Sequence, residues 1–558
     1  MRHLLLLLLF VLALSADASA QTAPAAYWVQ FTDKANTPYS LSEPEAFLSP
    51  RALERRARQG IAVDALDLPV DPAYIQQLLA AGQFQLLGVS RWFNAVTIGS
   101  TDTLALDTID QLPFVAAMRQ VARPVQPLQR DRKWDLRAYG TAKGSYDAVY
   151  GAGLGQIAMV NGHLLHSLGG ARGEGMLIGV LDSGFDGADS IDAFAPLRSR
   201  GGIRLTRDLV CPHCDVYQEH WHGRSVLSVM AADRPGQLTG TAPHADYVLV
   251  RSEDVHSEFP IEEDNWIEGA ELLDSLGCDL LNSSLGYTQF DDSTMDHTYA
   301  DLDGQTLRIS IAARIAAQKG MIPVISAGNS GSSDWYHIGA PADAFDVLAV
   351  GAVGTVRESA PFSSRGPSAD GRVKPDVSAT GWGCIGLSPD GSSVASINGT
   401  SFSAPLVCGA TACLWQLHPD RSSFEIMDAV RRSASCAQTP NDSLGYGIPD
   451  YWRAHLLLGG TDLTGLTAAR FFRTYPVPFT HHLDLELFTG DATQLTMELC
   501  DAMGRQVAER IVNVVPRTYQ QVRFEDPALL DIAPGVYVLR ASLAGQAGLT
   551  TRVLRSAR

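Results

Sequence analysis

The chain has 558 residues, too many for one ordinary domain and enough for three or four at roughly 150 residues each. Lys and Arg number 43 against 61 Asp and Glu, a formal net charge of −18. Nothing in that balance favours nucleic acid or an anionic membrane as a partner.

The opening stretch "MRHLLLLLLFVLALSADASA" combines Arg2, an apolar run from Leu4 to Leu14, and Ala18-Ser19-Ala20 in small-x-small form. This is the pattern of a secretory signal over 1–20, cleaved after Ala20. The apolar run is too short to span a bilayer, and no other long uncharged apolar stretch follows, so no transmembrane segment is expected in the mature chain. Eight cysteines in an exported chain can form disulfides. Cys408 and Cys413, five apart on an expected helix, lie too far apart to pair with each other and read as buried thiols.

Residues 21–140 mix strand-like "AYWVQF", "RWFNAVTIGS" and "PFVAAMRQV" with helix-like "PRALERRARQG" and "DPAYIQQLLAAG", then end in the Pro-rich, charged "ARPVQPLQRDRKWDLR". This predicts a small α+β domain and a linker. Residues 141–455 have another rhythm. Short apolar runs, "GMLIGVLDSG", "ADYVLVRSED", "CDLLNSSLG", "GMIPVISAGN" and "FDVLAVGAVG", alternate with helical patterns such as Trp266, Ile267, Ala270, Leu273 and Leu276, or Ile311, Ile315 and Ala316 before Gly320. Buried strands alternating with helices indicate a parallel α/β sheet, whose ligands bind at the carboxyl ends of the strands. A linker is expected over 456–470. From 471 to 558, short alternating segments with turn signals predict an all-β sandwich.

Several strand exits are polar or glycine-rich: Asp182-Ser183-Gly184, Ser283-Ser284-Leu285-Gly286 and Ala327-Gly328-Asn329. Acyl transfer by serine needs a nucleophile, a base, an orienting carboxylate and donors for the oxyanion. Asp182 ends "LIGVLD", His222 opens "HGRSVLSVMAA", Asn329 follows "VISAG", and Ser401 opens the apolar, helix-like "NGTSFSAPLVCGATACLWQL". For that helix, Asn398, Thr400 or Ser401 reads as the cap, with Pro405 in the first turn.

These motifs carry a family resemblance. "GVLDSGFDG", "HGRSVLS", "GTAPHADYVLV", "NSSLG", "SAGNSG", "FSSRGPSADGRVKPDVSATG" and "NGTSFSAP" occur in order, and the chain resembles a subtilisin-family (S8, subtilase) serine protease, whose chain order is Asp, His, Ser. The resemblance implies a three-layer, parallel-sheet α/β protease domain. It implies Ser401 as nucleophile, His222 as general base then acid, Asp182 as orienting carboxylate, and Asn329 as oxyanion donor beside the Ser401 N–H. It also implies that Ser284, Leu285, Gly286 and Gly328 contact an extended peptide substrate, and that catalysis needs no cofactor. Many members carry threonine and a second histidine after the motif glycine, where this chain has Arg224 and Ser225.

Two metal readings accompany this. "CPHCDVYQEHWHG" packs Cys211, His213, Cys214, His220 and His222 into zinc-like spacing, with a Cys211–Cys214 disulfide or loop thiols as the alternatives. Asp186 and Asp189 suggest structural calcium, but two carboxylates do not make a site.

By the same resemblance, residues 21–140 sit where the family carries an inhibitory prodomain, with Arg130, Arg132, Lys133 and Arg137 marking a cleavable linker. "YPVPF", "LDLELF", "LCDAMGRQV", "APGVYVLR" and "LTTRVLR" resemble the sorting domain of the type IX secretion system. Its rival is an adhesive module, for which Tyr475, Phe479 and Tyr537 are the candidate aromatics. The expectation is a secreted or cell-surface endopeptidase, exported through the periplasm, with peptides, its own prodomain and the secretion machinery as partners. The alternative is a catalytically silent cell-surface binding protein on a protease scaffold.

Overall fold

The computed structural model describes residues 25–100, 102–123, 140–141, 147–168, 170–459, 469–475, 477–516, 519–543 and 548–556. The expected signal at 1–20 and the linker residues Arg130, Arg132, Lys133 and Arg137 lie outside the described residues. Contacts divide the chain into two units, one running through Gly459 and one from Gly460 onward that also takes in Ser167–Gly169.

The first unit opens with a four-stranded antiparallel sheet in the order β2-β3-β1-β4, formed by β1 (Ala25–Phe31), β2 (Phe84–Ser90), β3 (Ala95–Ser100) and β4 (Val115–Ala122). Helix α1 (Pro50–Gln59) starts where Ser49 Oγ accepts from Ala52 N and stops at Gly60, whose φ of +68° is easy only for glycine. Helix α2 (Pro72–Ala80) starts at Asp71 in the same way. Val29, Phe31, Leu78, Val96, Ile98 and Phe114 form the core beneath this sheet.

The larger part of the unit is a seven-stranded parallel sheet. Its strands are β5 (Leu177–Asp182), β6 (Ile203–Asp208), β7 (Asp246–Arg251), β8 (Leu280–Ser283), β9 (Ile322–Ser326), β10 (Leu348–Val353) and β11 (Val377–Thr380), in the order β11-β10-β9-β8-β5-β7-β6. The strands β5 and β8 to β11 are buried along their whole length, which is why they read as continuous apolar runs. After β5 the chain fills one side of the sheet with β6 and β7, then crosses to β8 on the other side. The order therefore reverses between β5 and β8, where a parallel sheet opens a crevice at its carboxyl edge.

Helices cover the sheet: α3 (His222–Ala231), α4 (Ile261–Leu276), α5 (Arg308–Gln318) and α6 (Thr400–Leu417). The first of them is buried at every residue, and α6 from Thr400 through Trp415. The expected linker begins inside the helix Tyr451–Leu457.

The antiparallel sheet docks on α4 through buried polar contacts. Glu271 accepts from Ser90 Oγ (2.6 Å), Arg91 N (2.8 Å) and Trp92 N (3.1 Å), and Asp264 accepts from Thr97 Oγ1 (3.0 Å). Asp274 sits among three guanidiniums, paired with Arg55, with Arg56 at 2.7 Å and with Arg91 at 2.6 Å. Burial opposes ionisation of Asp274, but these arginines overcome it and hold its carboxyl below the usual range.

The second unit is a β-sandwich of a three-stranded and a four-stranded sheet. Leu483, Leu485, Leu487 and Phe524 from one sheet share a core with Leu495, Met497, Leu499, Leu539 and Val553 from the other. Phe479 and Tyr537 belong to that core, with Tyr537 Oη donating to Ala533 O, so these two aromatics are packing residues and do not form an adhesive surface. The Tyr475 side chain is outside the described residues.

Candidate active site

The crevice at the β5/β8 reversal collects the sequence-marked residues. Asp182 is the last residue of β5 and fully buried. His222, the first residue of α3, places Nδ1 2.7 Å from Asp182 Oδ1. Ser183 adds its backbone N–H (2.8 Å) and its hydroxyl (3.2 Å) to the same oxygen. An imidazole held by Nδ1 to a carboxylate presents its Nε2 outward, ready to take a proton.

Ser401 is the second residue of α6, and His222 lies beside Phe402, the residue that follows it, with ring centroids 5.7 Å apart. The helix is not capped by its own sequence. Its N-cap is Gly399, at φ +146° and ψ +149°, a conformation close to glycine-only, and Asn398, Thr400 and Ser401 do not cap. The cap comes from another strand exit: Asn329 Oδ1, beyond β9, accepts from Thr400 N (2.9 Å) and Thr400 Oγ1 (3.0 Å). With its oxygen so engaged, the Asn329 side chain keeps its NH₂ as the donor end, near a helix N-terminus whose first N–H groups lack helical partners. Such a place stabilises developing negative charge.

Pro405 is the sixth residue of α6, in the second turn and not the first. It has no N–H for the carbonyl four residues back, which is that of Ser401. Ser284 fills the gap: its Oγ donates to Ser401 O at 2.8 Å, and Ser401 Oγ donates to Ser284 O at 3.2 Å. Ser284 and Leu285 are buried, and Gly286 is exposed. Tyr287 pairs with Ala340 through N–H···O bonds of 2.9 and 3.2 Å. Gly328, at φ +104°, donates its N–H to Thr400 Oγ1 at 3.2 Å.

The metal readings meet different partners. Cys211 and Cys214 form a disulfide, which removes both thiols from a zinc set, and His222 is committed to Asp182. The Asp186 carboxylate pairs through one oxygen with Arg224 Nη1 at 3.0 Å. A separate acidic group, Glu253, Glu258 and Glu262, brings its carboxylates within 4.8 Å of one another. Its members have partners, Tyr287 Oη donating to Glu253 and Asp254 N to Glu262.

Sequence reasoning named three neighbours of the site but not the contacts they make there. Ser183 sits inside the "LDSG" motif and supports Asp182. His220 places Nδ1 2.8 Å from Ser183 Oγ. Arg224, which departs from the usual motif, is buried and donates to Asp186 O (2.7 Å) and to the carbonyls of Ser388 and Pro389, tying α3 to the loop after the strand Trp382–Leu387.

A serine at a helix N-terminus, a carboxylate-anchored imidazole and a side-chain amide at a neighbouring strand exit invite comparison with known proteins. The model of the Subtilase family (Peptidase S8) matches residues 173–447, and that of the Peptidase S8 propeptide domain of Bacteroidota matches residues 26–135. Residues 173–447 are thus similar to a subtilase domain. Similar proteins include Subtilisin E of Bacillus subtilis, 29% identical over 282 residues that cover 50% of this chain and 65% of that protein. The serine protease AprX of Bacillus subtilis is 27% identical over 289 residues, 46% of this chain and 61% of that protein. The solved structure of MycP1 from Mycobacterium smegmatis aligns with a TM-score of 0.42 at 19% identity, covering 58% of this chain and 89% of that one. The chain spans 65% of the length of the first curated relatives it matches. The propeptide match covers the antiparallel sheet docked on α4.

Proposed function

We propose that the chain is an exported serine endopeptidase made as a zymogen. The observation that carries this is the Asp182–His222 hydrogen bond of 2.7 Å, with the His222 ring against Phe402, the residue after Ser401 at the N-terminus of a buried helix, at the reversal point of the parallel sheet. Ser401 Oγ attacks the scissile carbonyl while His222 Nε2 takes its proton, and Asp182 steadies the imidazolium. The oxyanion is met by the Asn329 NH₂ and the Ser401 N–H. His222 then protonates the leaving amine, and water repeats the steps on the acyl-enzyme. The substrate is an extended peptide added as a strand along Ser284–Leu285–Gly286, where the exposed glycine lets backbones approach closely.

The docked N-terminal domain acts as intramolecular inhibitor until the segment after Ala122 is cut. The β-sandwich is a type IX sorting domain that delivers the enzyme, after a signal over 1–20, to the cell surface or beyond. The Cys211–Cys214 disulfide, which suits an oxidising compartment, supports export, and the burial of Phe479 and Tyr537 weakens an adhesive role for the sandwich. Among the described residues no helix is long and apolar enough to cross a membrane.

Hydrolysis of an unfolded protein such as casein by the processed chain tests the reading, with Ser401→Ala and His222→Ala as controls. Cleavage by the wild type alone supports it, and cleavage by all three refutes it. A deletion of 471–558 that leaves the enzyme in the periplasm supports the sorting role.

A further inference from the structure

The segment between β6 and α3 contributes more than a loop. It is strapped along the exit of β5: Phe185 N donates to Val216 O (2.8 Å), Gly187 N to Tyr217 O (2.9 Å) and Asp186 N to His220 O (3.4 Å). Gly184, at φ +146°, makes the approach possible, because a Cβ there would lie 2.5 Å from His220 N. At its outer end the segment is closed by the Cys211–Cys214 disulfide and by Asp208, which accepts from Val210 N (2.9 Å) and Cys211 N (2.7 Å). The strapping leaves the His220 ring nearly parallel to the His222 ring, 14° apart in plane and 6.4 Å between centroids.

His220 Nδ1 is 2.8 Å from Ser183 Oγ, and Ser183 Oγ is 3.2 Å from Asp182 Oδ1. A hydroxyl has one proton to give. Given to the Asp182 carboxylate, the charged and therefore stronger acceptor, it leaves Ser183 Oγ as an acceptor for His220, whose Nδ1 must then carry hydrogen. Donors thus run His220 to Ser183 to Asp182, meeting on the same oxygen the donor from His222.

We propose that His220 is a positioning residue for the Asp182–His222 pair, acting through the Ser183 hydroxyl, so that two histidines flank one carboxylate. This rests on the serine endopeptidase reading above. Ser183 is fully buried, so its rotor is set by these two partners and not by water. By holding the Ser183 proton on Asp182 Oδ1, His220 fixes the carboxylate that fixes His222. It also tempers the carboxylate's pull on the His222 proton. The charged groups on the surrounding elements are Asp182 and His222, then Glu219, which lies 3.5 Å from Arg251, and Asp186, which lies 3.0 Å from Arg224.

The test is kcat and KM against pH on a peptide anilide, with active sites counted by a phosphonate label, for processed wild type, His220→Ala, His220→Asn, Ser183→Ala and the His220→Ala/Ser183→Ala double variant. Loss of one hydrogen bond in the chain predicts that His220→Ala lowers kcat about fivefold to tenfold. KM stays within twofold, and the acid limb moves to higher pH because a less satisfied Asp182 holds the His222 proton more tightly. His220→Asn, whose side-chain amide can donate from a similar position, recovers kcat to within about twofold. Ser183→Ala matches His220→Ala, and the double variant adds little to either. The inference is overturned if His220→Ala leaves kcat and the acid limb unchanged, if the asparagine behaves like the alanine, or if the two single losses add. Should His220→Ala lose its label count through misfolding, the asparagine and Ser183→Ala profiles decide the matter alone. A wild type that neither cleaves nor labels removes the endopeptidase reading itself, whereas an active wild type with an unmoved His220→Ala profile removes only this inference.

Discussion

Ser284 and Ser401 hold each other: the hydroxyl of Ser284 donates to the carbonyl of Ser401 at 2.8 Å, and the hydroxyl of Ser401 to the carbonyl of Ser284 at 3.2 Å. The first of these bonds replaces the helical bond that Pro405 cannot give. The candidate nucleophile is thus fixed to the strand exit along which a peptide would lie. Ser284→Ala should cost about 1 to 3 kcal/mol, the penalty for a buried carbonyl left unpaired. Pro405→Ala supplies the missing N–H, so the double variant should lose less than the sum of the two. A double-mutant cycle by chemical denaturation measures this, and strict additivity contradicts it.

The Asn329 oxygen caps Thr400, and its NH₂ is the proposed oxyanion donor. Asn329→Ala removes both, while Asn329→Asp keeps the acceptor and loses the donor. Each should lower kcat by about 10² to 10³, the magnitude known for loss of an oxyanion donor in subtilisin. Only the alanine variant should also lose about 1 kcal/mol of stability with the cap. Equal stability of the two variants would place the cap elsewhere.

The legible part of the fold was its rhythm. Strands buried on both faces read as apolar runs, and Asp182, His222, Asn329 and Ser401 stand where the motifs put them, at strand ends or helix starts. What was illegible depends on partners distant in sequence. The cap of α6 comes from Asn329, the substitute for the Pro405 bond from Ser284, and Arg55, Arg56 and Arg91 converge on Asp274 from about two hundred residues away. Local pattern shows a basic helix in "PRALERRARQ" and cannot show that two of its arginines are buried.

That cluster gives a prediction for the docked propeptide-like domain. Removing one member of a buried charge group strands the others, at a cost of about 3 to 5 kcal/mol. Asp274→Ala, made in a Ser401→Ala chain that cannot process itself, should therefore release the domain. Limited proteolysis and denaturation report it, and an unchanged midpoint would mean the cluster contributes nothing.

Docking should also weaken as pH rises. Burial against β2 raises the Glu268 carboxyl to about 7, and its bond from Val89 N does not offset this. Burial raises Glu271 and Asp264 in the same direction, with Arg91 and Arg308 opposing. The docked state therefore holds a proton that an uncovered helix face, with Glu near its ordinary 4.3, would release. This contribution is fully present below the ordinary range and is lost as pH rises through about 7. Glu268→Gln should flatten the fall in stability between pH 5 and 8. A slope identical to that of the parent chain would contradict the assignment.

The central claim is that Ser401 is an activated nucleophile. An alkyl fluorophosphonate probe, applied after removal of the N-terminal domain and followed by peptide mapping, tests it most directly. The account predicts one label per chain, on Ser401, absent in Ser401→Ala and slowed in Asp182→Ala. A folded wild type that takes no label, or takes it on another serine, would contradict it.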